Sequence, residues 1–314
     1  MMRETSGLVS VTGYQLFYRK FEPAEPRGTV LGLHGGPGCT HEYLLPLTDL
    51  TRRGYRVVLM DQLGCGRSER PKDYAVSTLE HNVEEVEQLR QSLGLGRVHL
   101  LGSSYGGLLA LAVAARYPAG FQTLVTTGGL ASVPYTVAEM HRLIRELPDG
   151  LREPIDRYGP LGMFQHPEYL RAVRGFYRRH LCRLSRWPSH LTNSLVETNH
   201  LVYGQMNGPN EFTIIGTIKD IDLTPELGRI RAPTLVTGGR HDEVTPNVAR
   251  QIHQAISGSE WVVFEESSHV PMWEERAPYI ATLARFFDAH PAEGSPVEAA
   301  SSAADEETRR GRDG

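Results

Sequence analysis

Residues 98–110 read Val-His-Leu-Leu-Gly-Ser-Ser-Tyr-Gly-Gly-Leu-Leu-Ala: an apolar run, small residues crowded around Ser104, then a second apolar run. The first run, Val98 to Leu101, has the length of a buried strand, and the second continues as a helix. Glycines at such a strand-to-helix turn let the chain reverse so sharply that a serine hydroxyl stands clear of the sheet. Taken alone, G-x-S-x-G arises often by chance, and a phosphate loop would crowd glycines in the same way. No G-x-x-x-x-G-K-[ST] occurs in the chain, so the decision falls to the flanking segments.

Those segments repeat the same rhythm. Gly28 to Leu33 reads as a buried strand and runs into the loop His34-Gly35-Gly36-Pro37-Gly38; Tyr55 to Met60 is another and ends at Asp61. Thr123 to Thr127, Thr234 to Thr237 and Trp261 to Phe264 continue the series. Helical patterns lie between them, such as Leu79 to Leu93 with Val83, Val86, Leu89 and Leu93 at steps of three and four. Strand–helix alternation predicts an α/β fold: a mostly parallel twisted sheet with helices on both faces. Leu8 to Phe21 fits antiparallel strands at the sheet edge. From 131 to 225 the rhythm breaks into helical sequence rich in Arg, His, Tyr and Pro. This is expected to be a helical cap inserted between core segments 1–130 and 226–290. The remainder, 291–314, is Ala, Glu, Ser, Arg and Gly without apolar periodicity, and is expected to be a disordered tail.

The 314 residues are 40% apolar and 22% charged, with a net charge of −4, which gives no basic surface for nucleic acid. No apolar leader opens the chain, and the run Leu108 to Ala115 is too short to span a bilayer, so a cytoplasmic protein without a membrane partner is expected. Cys39, Cys65 and Cys182 form no CxxC pair and read as small buried thiols. Cys39 and Cys65 lie beside glycine-rich loops, which leaves a reactive thiol near the site as the alternative.

A serine hydroxyl is a poor nucleophile without a base, and the base needs an orienting acid. In a doubly wound sheet such groups gather at the carboxyl ends of the strands. The strand at 234–237 runs into Gly238-Gly239-Arg240-His241-Asp242-Glu243, and the strand at 261–264 runs into Glu265-Glu266-Ser267-Ser268-His269. Ser104, Asp242 and His269 therefore follow three different strands in the order that a Ser–Asp–His hydrolase requires. The bland alternatives are an N-cap role for Asp242 ahead of Pro246 and a structural hydrogen bond for His269. An oxyanion hole completes the set, with donors expected from the backbone N–H groups of Tyr105 and Gly36. No metal or organic cofactor is expected.

These segments, HGGPG at 34–38, DQLGCGRS at 61–68, GSSYGG at 102–107, GRHDEVTP around Asp242 and SSH at 267–269, resemble the proline iminopeptidase family of α/β-hydrolases over nearly the whole chain to about residue 290. Leu63 and Tyr105 depart from the arginine and tryptophan common there. Within the family, residues 206–212 (MNGPNEF) and 216–220 (GTIKD) look like the cap signature of the tricorn-interacting aminopeptidase and L-amino acid amidase group. That resemblance implies that Glu211 and Glu243 hold a substrate's free α-ammonium, where the bland reading is a solvated cap charge and a helix N-terminal acid. It implies an aminopeptidase acting through an acyl-enzyme on a small peptide. The alternatives are an amidase or prolinamide hydrolase acting on an amino acid amide, or an esterase or hydrolase acting on an aminoacylated compound. A non-catalytic receptor of the same fold would be expected to lack a triad member, and a dehalogenase or epoxide hydrolase would carry a carboxylate in place of Ser104. Phe164, Tyr177, Tyr203 and Met206 are candidate pocket walls or local core. Arg178, Arg179, Arg183 and Arg186 read as a solvated basic face, with recognition of a downstream carboxylate as the alternative.

Overall fold

The computed structural model describes residues 2–291, so the expected tail lies outside the described residues apart from Pro291. Eight strands form one sheet: β1 (Arg3–Val11), β2 (Tyr14–Glu22), β3 (Gly28–Leu33), β4 (Tyr55–Met60), β5 (Val98–Ser103), β6 (Phe121–Thr127), β7 (Thr234–Gly239) and β8 (Glu260–Phe264). Their order is β1-β2-β4-β3-β5-β6-β7-β8. β1 pairs antiparallel with β2, and β2 with β4; every other pairing is parallel. The edge hairpin is longer than Leu8 to Phe21. It turns at Thr12 (φ 52°) and Gly13 (φ 87°), the two positive φ values that match the twist of a two-residue hairpin. The strands at 123, 234 and 261 also extend one to two residues beyond their apolar runs, because ladder hydrogen bonds continue through Phe121, Gly239 and Glu260.

The helices are α1 (Leu79–Ser92), α2 (Tyr105–Arg116), α3 (Val133–Arg145), α4 (Asp149–Tyr158), α5 (Pro167–His180), α6 (Ser189–Val196), α7 (His200–Met206), α8 (Pro246–Ala255), α9 (Pro271–Glu274) and α10 (Arg276–Asp288). Side chains alternate across the central strands, so each strand feeds two cores. Leu31, Leu33, Val58 and Met60 join α1 and α2 on one face. Val30, Val57, Leu59 and Leu101 join Leu283, Phe286 and Phe287 of α10 on the other. Burial on both faces explains why β5 and β7 read as continuous buried runs.

Helices α3 to α7 fall between β6 and β7. This stretch holds only isolated bridges, Ser132 with Asp222 and Asn210 with Thr213. It is clasped to the loops at the carboxyl ends of β3 and β4: Ser194 Oγ donates to Thr40 O at 2.9 Å, Asn199 N to Gly38 O at 2.9 Å, and Asn199 Nδ2 to Gly64 O at 2.7 Å. Five helices are thereby held over the sheet end where the three candidate catalytic residues lie.

Candidate active site

β5 ends at Ser103 and α2 begins at Tyr105, leaving Ser104 alone at the corner with φ 59° and ψ −127°. A non-glycine residue there is strained, and three hydrogen bonds hold it: Ser104 N donates to Thr127 O at 3.0 Å, and Ser104 O accepts from Gly107 N at 2.7 Å and from Leu108 N at 3.3 Å. The flanking glycines have a steric reason. A Cβ on Gly102 would stand 1.9 Å from Gly106 O, and one on Gly106 would stand 2.2 Å from Leu33 O. Because backbone cannot yield as a side-chain tip can, Gly106→Ala is expected to destabilise the fold by about 3 kcal/mol or more, read as a lower urea midpoint. Ser103 is fully buried and turned away from this corner's open side.

Asp242 and His269 sit in the loops after β7 and β8. His269 Nδ1 lies 2.6 Å from Asp242 Oδ1, which also accepts from Val244 N at 2.8 Å. With Nδ1 donating to the carboxylate, Nε2 is the nitrogen free to face Ser104. Gly128 (φ 53°) makes the room, since a Cβ there would come within 2.8 Å of both Asp242 Oδ2 and His269 Nδ1. Burial opposes charge on His269, but the Asp242 carboxylate and its hydrogen bond, with Glu243 and Glu211 adding, push the imidazole up to about 10.

Gly36 and Tyr105 line a single narrow chamber with Ser104. Tyr105 N–H is the first of α2, one of the donors a helix leaves unpaired at its start. The loop carrying Gly36 is fixed from below: Gly35 N donates to Tyr43 Oη at 2.7 Å, and Gln62 Nε2 donates to His34 O at 2.8 Å. Tyr105 Oη donates to Asn82 Oδ1 at 2.7 Å. Tyr43 and Asn82 carry no motif signature and are identified only by the folded contacts; Gln62 lies in the segment 61–68, but its support of the His34 loop shows only in the structure.

Glu211 and Glu243 both line the chambers on either side of Ser104. Glu243 is buried, with Oε2 lacking any hydrogen bond and Oε1 3.9 Å from His269 Nε2. Glu211 accepts from Tyr203 Oη at 2.7 Å. Burial raises both carboxyls above their ordinary range; His269 opposes this for both, and the Tyr203 hydroxyl for Glu211. The chamber with Tyr105 is closed by Leu130, Met140, Ile214, Ile218 and Val244. The chamber with His269 shares Cys39, Leu181, Leu195 and Glu211 with an open outer cavity of about 1150 Å³.

Phe164, Tyr177 and Tyr203 line that outer cavity, whereas Met206 is buried core. Arg178, Arg179, Arg183 and Arg186 line none of the three chambers. Arg183 instead ties the insertion to the last loop, its N donating to Glu274 Oε1 at 2.7 Å. All three cysteines are free and buried. Cys39 touches the site, but burial pushes its thiol up to about 12, so it stands as a neutral thiol. Among the described residues, no group of three or more His, Cys, Asp or Glu side chains could hold a metal ion, and no helix is long and apolar enough to cross a membrane.

Residues 28–276 match the family model for the alpha/beta hydrolase fold. The chain is 48% identical over 284 residues to the proline iminopeptidase of Saccharolobus solfataricus, covering 90% of this chain and 92% of that relative. It is 46% identical over 290 residues to the proline iminopeptidase of Thermoplasma volcanium, covering 92% and 98%. Among solved structures, VinJ superposes with a TM-score of 0.87 at 37% identity, covering 91% of this chain and 99% of that one. The proline iminopeptidase of Mycobacterium smegmatis superposes with a TM-score of 0.86 at 32% identity, covering 91% and 98%.

Proposed function

The chain belongs to the proline iminopeptidase family of α/β-hydrolases and is a serine-type aminopeptidase, and from that premise we propose how its residues divide the work. Ser104 is the nucleophile, His269 the base, and Asp242 the group that orients and stabilises the imidazolium. Gly36 and Tyr105 N–H groups receive the oxyanion of the tetrahedral intermediate. Glu211 and Glu243 hold the α-ammonium of the first residue.

One observation carries this reading: two carboxylates, with no lysine or arginine beside them among the described residues, share the walls of the chambers that flank Ser104. Buried carboxylates are costly unless paired, and an ammonium supplies the missing charge. With the amine fixed there, only the first carbonyl of a substrate can reach Ser104. The closed apolar chamber supports a small apolar first residue, proline or alanine. His269 must protonate the leaving amine, so the leaving group exits through the chamber that opens into the outer cavity. A cavity of about 1150 Å³ favours a peptide over ammonia as that leaving group. The reaction then runs through attack by Ser104, collapse to the acyl-enzyme as His269 gives its proton to the amine, and hydrolysis by water activated at the same imidazole. The three free thiols fit a reducing, cytoplasmic setting.

The test is steady-state kinetics on matched Pro-, Ala-, Leu- and Phe-β-naphthylamides, their free amides, their N-acetyl forms and a simple acyl ester. Acetylation is expected to lower kcat/KM by about 100-fold or more, the cost of leaving a buried charge unpaired. Equal turnover of acetylated substrates would remove the anchor role and leave an esterase as the better account.

A further inference from the structure

His269 sits between two carboxylates. Asp242 Oδ1 is 2.6 Å from Nδ1, and Glu243 Oε1 is 3.9 Å from Nε2, the nitrogen that must take the proton of Ser104. Among the described residues no hydrogen bond joins Ser104 to His269. Two buried oxygens, Asp242 Oδ2 and Glu243 Oε2, have no partner at all. The other titratable groups facing this space are Glu211 from the insertion, with the Tyr203 and Tyr177 hydroxyls behind it, the Cys39 thiol, the Tyr43 hydroxyl and, on the Asp242 side, His180. Among the described residues no lysine or arginine lines either chamber beside Ser104.

Three carboxylates and no fixed cation leave the empty site short of positive charge. A proton placed on Glu243 would leave Asp242 buried beside a neutral imidazole. The same proton on Nε2 gives Asp242 and Glu243 a shared cation between them, so it belongs on the histidine. We infer that Glu243 makes the base conditional on the substrate: in the empty enzyme His269 stands as an imidazolium facing Glu243, and only a bound α-ammonium frees Nε2 to accept the proton of Ser104. The rise of His269 to about 10 agrees with this arrangement. The exchange balances one proton for one cation. A substrate arriving as an ammonium sends the Nε2 proton to water. One arriving as the neutral amine takes that proton itself, its ordinary pKa being about 8.

Glu243 is thus a specificity-determining residue that acts through His269 on the chemical step, beyond its share in holding the amine. This rests on the ammonium-anchor reading above, and it carries a consequence that simple anchoring does not. Neutral reagents that need no anchor should still find Ser104 unreactive at neutral pH, and a small amine should switch it on.

The experiment follows inactivation of the full chain by a neutral dialkyl fluorophosphate, which joins phosphorus to Ser104 Oγ, expels fluoride and leaves the serine proton on His269. Rates are measured from pH 6 to 10.5, with methylammonium chloride or with potassium chloride at equal ionic strength. The expected wild-type rate rises with a midpoint well above the ordinary imidazole value of about 6.5. Methylammonium is expected to accelerate inactivation at pH 7 by about tenfold, the effect of lowering the midpoint by about one unit. In Glu243→Gln the midpoint should fall by about one unit and the response to methylammonium should vanish. The wild-type comparison alone decides the matter if that variant fails to fold. A midpoint near 6.5, or a high midpoint that methylammonium does not move, overturns the inference. Preference for alanyl-naphthylamide over its N-acetyl form tests the anchor separately, so a failed anchor and a failed switch give different results.

Discussion

Ser104→Ala is expected to lower kcat on Pro- or Ala-β-naphthylamide by about 10⁶-fold while leaving the unfolding free energy within about 1 kcal/mol of wild type. The loss is large because the proposed nucleophile carries the covalent intermediate, and no neighbour can replace it. Ser103 is buried with its hydroxyl unpartnered inside the strand, and Cys39 is a neutral thiol with a pKa near 12. Stability should survive because the corner is held by backbone: Ser104 N to Thr127 O and Gly107 N to Ser104 O both persist with alanine. Alanine keeps the positive φ of 59°, and with it the same strain. Residual turnover from the oxyanion donors and the glutamates would leave a rate still above water. Activity retained within tenfold of wild type would remove Ser104 from its role. Should the variant fail to fold, labelling of wild-type Ser104 by a fluorophosphate at pH 10.5 tests the same role, and absence of label on Ser104 there would remove it.

How much of this was legible in the sequence depends on whether the chemistry lies along the chain or across it. Ser104, Asp242 and His269 each follow a strand, and strand ends can be read from apolar runs bounded by glycine; order and spacing therefore locate all three. The insertion is legible by contrast, because Arg-, Pro- and His-rich helices interrupt a strand–helix alternation. Side-chain contacts between separate elements leave no such trace. Tyr203 facing Glu211 and Asn82 facing Tyr105 are single polar residues in ordinary helices, and only the folded chain joins them. Glu243 is the instructive case. Its place beside Asp242 is plain in the sequence, but a residue next to the acid could point anywhere, and its approach to Nε2 is set by the turn after β7 and the position of β8. The basic residues at and beyond the end of α5 illustrate the reverse. Four arginines close in sequence invite a carboxylate site, but helical and loop geometry turn them away from the chambers, and Arg183 serves the joint with Glu274.

Glu211→Gln should separate function from stability in opposite directions. Gln keeps the size and can still meet the Tyr203 hydroxyl, but it removes one of the two charges proposed to hold the ammonium. The loss of a partner for a buried charge costs about 2–5 kcal/mol, so kcat/KM for free-amine substrates should fall by about 30-fold to several thousand-fold. N-acetyl substrates, which never use that charge, should change by less than about tenfold. Tyr203→Phe removes only the hydrogen bond at 2.7 Å and should cost about tenfold or less. Stability moves the other way. Burial raises Glu211 above its ordinary range in the folded enzyme, so between the unfolded value of about 4.3 and that raised value the native state binds more protons, and wild-type stability falls as pH rises. Glutamine has no proton to lose. Thermal midpoints of the two proteins should coincide near pH 4 and separate by pH 8, with Glu211→Gln the higher, in the absence of any amine ligand. Equal midpoints at pH 8 would show that Glu211 is already paired in the empty enzyme, and an equal loss on free and acetylated substrates would show that it positions the insertion and does not hold the amine. A site that is stabilised when its charge is deleted, and disabled by the same change, is one whose missing partner is the substrate itself.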